Sequence, residues 1–181
     1  MIKNFVFSII IIFAVVFGFL TPAIAERAYV GPSWDKETIS VYIPNGEYSA
    51  MMQRAFNKWQ DVSYGKLHFT FVEKLPADIT VSFNSEFTSF DEPIGTYKLI
   101  VEQGHITKAE IGILTNQKVT NSYLYTVMLH EIGHSLGLYD TDRKLGIMHK
   151  PVAETQDIIQ SDIMKLFKLN NWSWMNKSMT F

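Results

Sequence analysis

The sequence predicts an α+β domain of five strands and three main helices. Three observations lead there. Short runs in which apolar and polar residues alternate recur between residues 39 and 114, three stretches carry apolar side chains at helical spacing, and no repeat, low-complexity tract or interdomain linker divides the chain. Residues 26–181 suffice for one core that buries about two-thirds of the unfolded surface.

Residues 1–25 read as a secretory signal peptide. Lys3 supplies the positive start, Phe5 to Leu20 the apolar core, and Ala23-Ile24-Ala25 an A-x-A cleavage site. An uncleaved anchor is the competing reading, against which the short apolar run and Pro22 argue. Residues 26–33 would form a short N-terminal segment and 34–181 the main folded domain, exported to the periplasm or the medium, monomeric, and without stable membrane association once cleaved. Lys3 is the only charge in the leader, so the mature chain is one unit more acidic than the whole chain's −2. That balance argues against a nucleic-acid partner, which would want a basic face. There is no cysteine, so neither disulfides nor a cysteine-based latency device is available, and stability rests on the core and any metal.

Ile39, Val41 and Ile43 alternate with polar residues and predict a half-buried first strand. Tyr48, Met51, Met52, Ala55, Phe56, Trp59 and Val62 recur at helical spacing, the core stripe of a first helix. Gly65 ends that unit. Leu67 to Val72 and Ile79 to Phe83 are the second and third strands, and Asn84 to Pro93 is a polar loop before strands over Ile94–Val101 and Ile106–Leu114. A second helix starts at Asn121 or Ser122, both good caps, and runs to about Leu136. Thr155 is expected to cap a closing helix whose Ile159, Ile163, Leu166 and Phe167 form an apolar stripe. Trp172, Trp174, Met175 and Phe181 follow it. They either contact a partner or a membrane, or pack on the closing helix, which is the favoured reading.

The second helix carries the chemistry, in the run from His130 to Asp140 (HEIGHSLGLYD). His130 and His134 are four residues apart and lie on one helical face, a turn from each other. That spacing suits a catalytic zinc ion, with Glu131 placed as general base on a water that the metal activates. Gly137 can take the left-handed conformation that lets the chain double back. Asp140 then falls where a third ligand can reach the metal, leaving a fourth position open for water and substrate. A bare HExxH also arises by chance, but here a short apolar turn, Leu145-Gly146-Ile147-Met148, follows it.

These residues resemble the metzincin metallopeptidases, HExxHxxGxx followed by a Met-turn, and most closely matrixin-like catalytic domains, from Trp34 to about Leu169. The resemblance implies zinc ligation by His130 and His134, acid/base catalysis by Glu131, and Met148 in the turn beneath the metal. It also implies a mixed, mostly parallel five-stranded sheet whose fourth strand, near Thr96 to Val101, is an antiparallel edge along which an extended peptide lies. Most metzincins have a third His where this chain has Asp140, in which it is similar to snapalysin-type enzymes. The structural zinc and calcium loops of matrixins are not visible: Asn84 to Gly104 holds only Glu86, Asp91, Glu92 and Glu102 as carboxylates, and His105 has no neighbouring His. One catalytic zinc ion is therefore expected, and calcium finds no ligand loop.

The expected function is a secreted zinc endopeptidase acting on protein or peptide substrates. A gluzincin-type alternative takes its third ligand from Glu154, 20 positions beyond His134, but leaves Gly137, Asp140 and Met148 unexplained. A catalytically silent zinc-binding protein is the other alternative, and retention of Glu131 argues against it.

Overall fold

The computed structural model describes residues 31–85, 93–115 and 119–173. The signal-peptide reading, most of the 26–33 segment, the carboxylates Glu86, Asp91 and Glu92, and the aromatic tail beyond Ser173 lie outside the described residues. The elements follow in the order β1 (Ser33–Trp34), β2 (Thr38–Tyr42), α1 (Ser49–Val62), β3 (His68–Val72), β4 (Ile79–Asn84), β5 (Gly95–Glu102), β6 (His105–Leu114), α2 (Asn121–Ser135) and α3 (Gln160–Leu169).

The sheet is mixed and mostly parallel, as expected, with six strands rather than five. β3, β2, β4 and β6 run parallel, β6 also takes the two-residue β1 in parallel register (Ser33 beside His105), and β5 runs antiparallel along β6, with Tyr97 beside Ile111. The sixth strand, β1, escapes a periodicity search because two residues have no period. It is held by tertiary contact, with Trp34 donating its indole N–H to the Ser135 carbonyl at 2.9 Å.

α1 and α2 pack on the same face of the sheet and on each other. α1 buries Met52, Ala55, Phe56 and Trp59, and the Trp59 indole donates to the Leu129 carbonyl at 2.9 Å. That bond satisfies the polar end of a wholly buried aromatic residue and fixes the register of the two helices. α2 is buried on nearly every side from Leu124 to Ser135, as a helix between a sheet and a second helix must be. No helix among the described residues is long and apolar enough to cross a membrane.

Two helix starts differ from the sequence expectation. α2 is capped by Thr120, whose hydroxyl accepts the Tyr123 N–H at 3.0 Å, rather than by Asn121 or Ser122. α3 begins at Gln160 instead of after Thr155. There Gln156 closes a turn of its own, accepting from Ala153 N–H and donating to the Pro151 carbonyl, and the Asp162 carboxylate takes the Ile159 N–H at 3.2 Å. Trp172 packs edge-on against Phe167 at 5.5 Å, as the packing reading has it.

Candidate metal centre

His130 and His134 project from α2 in perpendicular orientation, their ring centroids 4.6 Å apart. Each ring is fixed through its Nδ1. The His130 Nδ1–H donates to the Ile147 carbonyl at 2.7 Å and the His134 Nδ1–H to the Leu138 carbonyl at 2.8 Å. A carbonyl can only accept, so both protons sit on Nδ1 and both Nε2 lone pairs are free. Those nitrogens lie 3.0 Å apart, and Asp140 Oδ1 lies 3.4 Å from one and 3.1 Å from the other.

Three acceptors thus converge on one point, an arrangement that a cation satisfies and hydrogen bonds do not. The spacings also fit zinc: ligands about 2.0–2.1 Å from a tetrahedral ion stand roughly 3.3 Å from one another. Burial pushes the His130 imidazole down, and burial together with the neighbouring His130 pushes His134 down to about 4. Both rings are therefore neutral and ready to ligate at neutral pH. Among the described residues, His130, His134 and Asp140 are the group of three or more His, Asp or Glu side chains close enough to share an ion.

The chain reaches Asp140 through a sharp reversal. Gly137 has φ +89°, its N–H meets the His134 carbonyl at 2.9 Å, and Leu138 N–H meets the Gly133 carbonyl at 3.0 Å. A side chain at Gly137 would be strained by that backbone and would stand 2.9 Å from Leu169 Cδ2. The reversal delivers the Leu138 carbonyl to His134 and Asp140 to the acceptor group. Met148 is wholly buried with its sulfur against Gly133, where no Cβ fits. Its turn is tied at both ends: Thr141 N–H bonds the Met148 carbonyl at 2.7 Å, and the Asp162 carboxylate accepts Ile147 N–H at 3.1 Å.

Glu131 is 6% exposed. Among the described residues its Oε2 has no hydrogen-bond partner. Burial pushes its carboxyl up to about 7, with Lys150 pulling down and Asp140 adding to the rise. Glu131 thus presents a buried carboxyl, one oxygen of it unmatched among the described residues, directly after His130 in the chain.

The other sequence candidates lie elsewhere. Glu154 bonds the Thr120 hydroxyl at the start of α2, ten positions before His130 and about 15 Å along a helix from it, and it is not part of the acceptor group. The His149 ring turns to the Thr141 carbonyl at 2.9 Å, and Asp142 is exposed. Sequence reasoning missed Tyr97, whose ring stacks on that of His134 at 4.0 Å and 16°, and Gly95, whose backbone abuts Glu131. Strand alternation across β5, which puts residues 95, 97 and 99 on one face, was the available signal.

A family model described as matrixin, a peptidase family, matches residues 33–169. Stromelysin-1 of Rattus norvegicus is 27% identical over 142 residues, 70% of this chain and 30% of that protein. Macrophage metalloelastase of Rattus norvegicus is 32% identical over 107 residues, covering 55% and 23%, and interstitial collagenase of Sus scrofa is 27% identical over 154 residues, covering 76% and 32%. The chain spans about a third or less of the length of these curated relatives.

Proposed function

Because the chain belongs to the matrixin family, we propose that it is a zinc-dependent endopeptidase, exported through residues 1–25 and folded as one catalytic domain over residues 34–181. The observation that carries this reading is the convergence of the two Nε2 atoms and Asp140 Oδ1 next to the buried Glu131, whose Oε2 has no partner among the described residues. The name metalloelastase among the relatives supports it.

His130, His134 and Asp140 would hold one zinc ion. When bound, zinc supplies Lewis-acid polarisation of the scissile carbonyl and makes water acidic enough to attack near neutral pH. Glu131 takes the proton from the attacking water and returns it to the leaving amine. Its raised pKa suits both transfers, because a base that titrates near the working pH also serves as the acid that follows. The outer edge of β5, opposite the side paired with β6, offers backbone N–H and C=O groups to an extended peptide, and the Met148 to Val152 segment walls a side-chain pocket. The mature protein would act as a monomer on protein or peptide substrates outside the cytoplasm, either in the periplasm or fully released.

The decisive experiment incubates zinc-loaded protein with a denatured protein or peptide library, with and without chelator, and maps the cleaved bonds. Chelator-sensitive internal cleavage, lost in Glu131→Ala while that variant keeps one zinc per chain, supports the reading. No cleavage by the loaded wild type, or activity of Glu131→Ala within a few-fold of it, overturns it.

A further inference from the structure

One aromatic side chain at the centre has no task in the mechanism so far. Tyr97 stands on β5 in the same facing set as Gly95, the residue whose backbone abuts Glu131. Its ring lies flat on the imidazole of His134, 4.0 Å away and tilted by 16°, yet it remains 41% exposed. Among the described residues its hydroxyl makes no hydrogen bond. A core aromatic would be buried, and a surface tyrosine would not be pinned against a candidate ligand. Tyr97 is held on one face and open to the cleft on the other.

Among the described residues, the ring nitrogens and carboxylates of the centre are mainly acceptors toward the cleft. Both histidines direct their N–H groups into backbone carbonyls, of Ile147 and Leu138. Asp140 and Glu131 are acceptors when ionised. The Lys150 ammonium lies 3.9 Å from Asp140 Oδ2 and leans toward that carboxylate. Hydrolysis of a peptide concentrates negative charge on the scissile carbonyl oxygen, and a preorganised donor at that point lowers the barrier. A phenol fixed by stacking is such a donor, since the ring contact removes rotational freedom before substrate arrives.

We propose that the Tyr97 hydroxyl donates a hydrogen bond to the scissile carbonyl oxygen as it gains charge, with the His134 ring holding the phenol in place. The role rests on the peptidase reading above. Tyr97 forms no covalent bond and keeps its proton throughout. It makes β5 more than a backbone template, because the strand that seats the peptide also supplies a group that touches the reacting atom.

Tyr97→Phe keeps the ring and its stacking and removes only the hydroxyl. Wild type and variant are loaded with zinc and compared in three measurements: kcat and KM on one peptide, zinc affinity by competition with a chromophoric chelator, and binding of a phosphinic peptide that mimics the tetrahedral state. The expected result is a kcat lowered about a hundredfold, KM within about threefold, unchanged zinc affinity, and phosphinic-peptide binding weakened in step with kcat. A kcat within twofold of wild type overturns the proposal. So does a fall in zinc affinity that accounts for the lost activity, which would reduce Tyr97 to a prop for His134. The two failures are separable: a wild-type chain that cleaves no peptide sinks the peptidase reading and this role with it, whereas an active wild type with an equally active Tyr97→Phe sinks this role alone.

Discussion

Gly95 of β5 and Glu131 of α2 are packed so closely that no side chain fits between them. A Cβ on Gly95 would stand 2.6 Å from Glu131 Cγ and 2.6 Å from Val127 Cγ1, well inside van der Waals contact. The edge strand therefore sets the position of the carboxylate through its backbone. Neither neighbour can give way cheaply, because both belong to the buried face of α2.

Gly95→Ala should consequently damage catalysis more than stability. Overpacking of this kind costs about 1–3 kcal/mol, while a displaced general base costs about 10²–10⁴-fold. The expected outcome is kcat down by at least about tenfold with zinc still bound, measured by peptide hydrolysis beside metal stoichiometry. An Ala variant with wild-type kcat would show that Glu131 does not depend on the strand.

Asp162 links the closing helix to the Met148 turn. One carboxylate oxygen accepts the N–H groups of Ile147 and Ile159, at 3.1 and 3.2 Å, and the other is buried without a partner among the described residues. Burial raises its pKa, against the pull of those two N–H groups and of Lys165 and Arg143. A carboxyl with a folded pKa above its unfolded value holds its proton longer in the fold, so its contribution to stability falls as pH rises from about 4 through the folded pKa. Asp162→Asn keeps a carbonyl oxygen for both N–H groups and removes the titration. It should gain on wild type as pH goes from 4 to 7, followed by denaturant midpoints with chelator present in both. Asp162→Ala leaves two buried donors unmatched and should cost about 2–4 kcal/mol. A wild-type minus Asn difference that does not change with pH would refute the argument.

What could be read in the sequence, and what could not, follows from sequence distance. The two histidines, Glu131, Gly137 and Asp140 lie within eleven consecutive residues, so helix geometry and one left-handed glycine are enough to bring them together. The strands β2, β4 and β6 and the stripe of α1 are legible because their periods repeat. Tyr97 and Gly95 reach α2 only through the pairing of β5 with β6. A period identifies a strand but does not say which helix residue it will face. β1 is too short for any period, and α3 starts late because the Asp157 and Ile158 N–H groups, which a Thr155 cap would take, go instead to the Leu145 carbonyl and the Asp157 carboxylate.

Lys150 tunes Glu131 from outside the cleft. Its ammonium is exposed, lies 3.9 Å from Asp140 Oδ2, and opposes the rise that burial gives Glu131. The base acts when ionised, so activity falls as pH drops through the Glu131 pKa, and a bound zinc ion, being positive, carries that limb below the value near 7. Removing Lys150 takes away a charge that favours the carboxylate. Lys150→Ala should move the acidic limb of kcat/KM to higher pH, only slightly because the group is solvated, and less at high salt. A shift to lower pH would contradict the assignment of Glu131 as base.

The third ligand separates the two zinc readings most sharply. Asp140 Oδ1 lies within 3.4 Å of both Nε2 atoms, whereas the Glu154 carboxylate is engaged by the Thr120 hydroxyl at the far end of α2. Loss of Asp140 should therefore weaken zinc binding by more than the roughly 10–100-fold that an outer partner costs. Glu154→Ala should leave zinc affinity within about twofold and lose only part of a surface bond at the helix start. Asp140→His should keep the metal and shift the acidic limb of the pH–activity profile downward, because a neutral imidazole donates less charge than a carboxylate and leaves the ion better able to acidify water. Chelator competition on the three variants decides it: metal lost in Glu154→Ala but retained in Asp140→Ala would reject the Asp140 site and put the third ligand at Glu154.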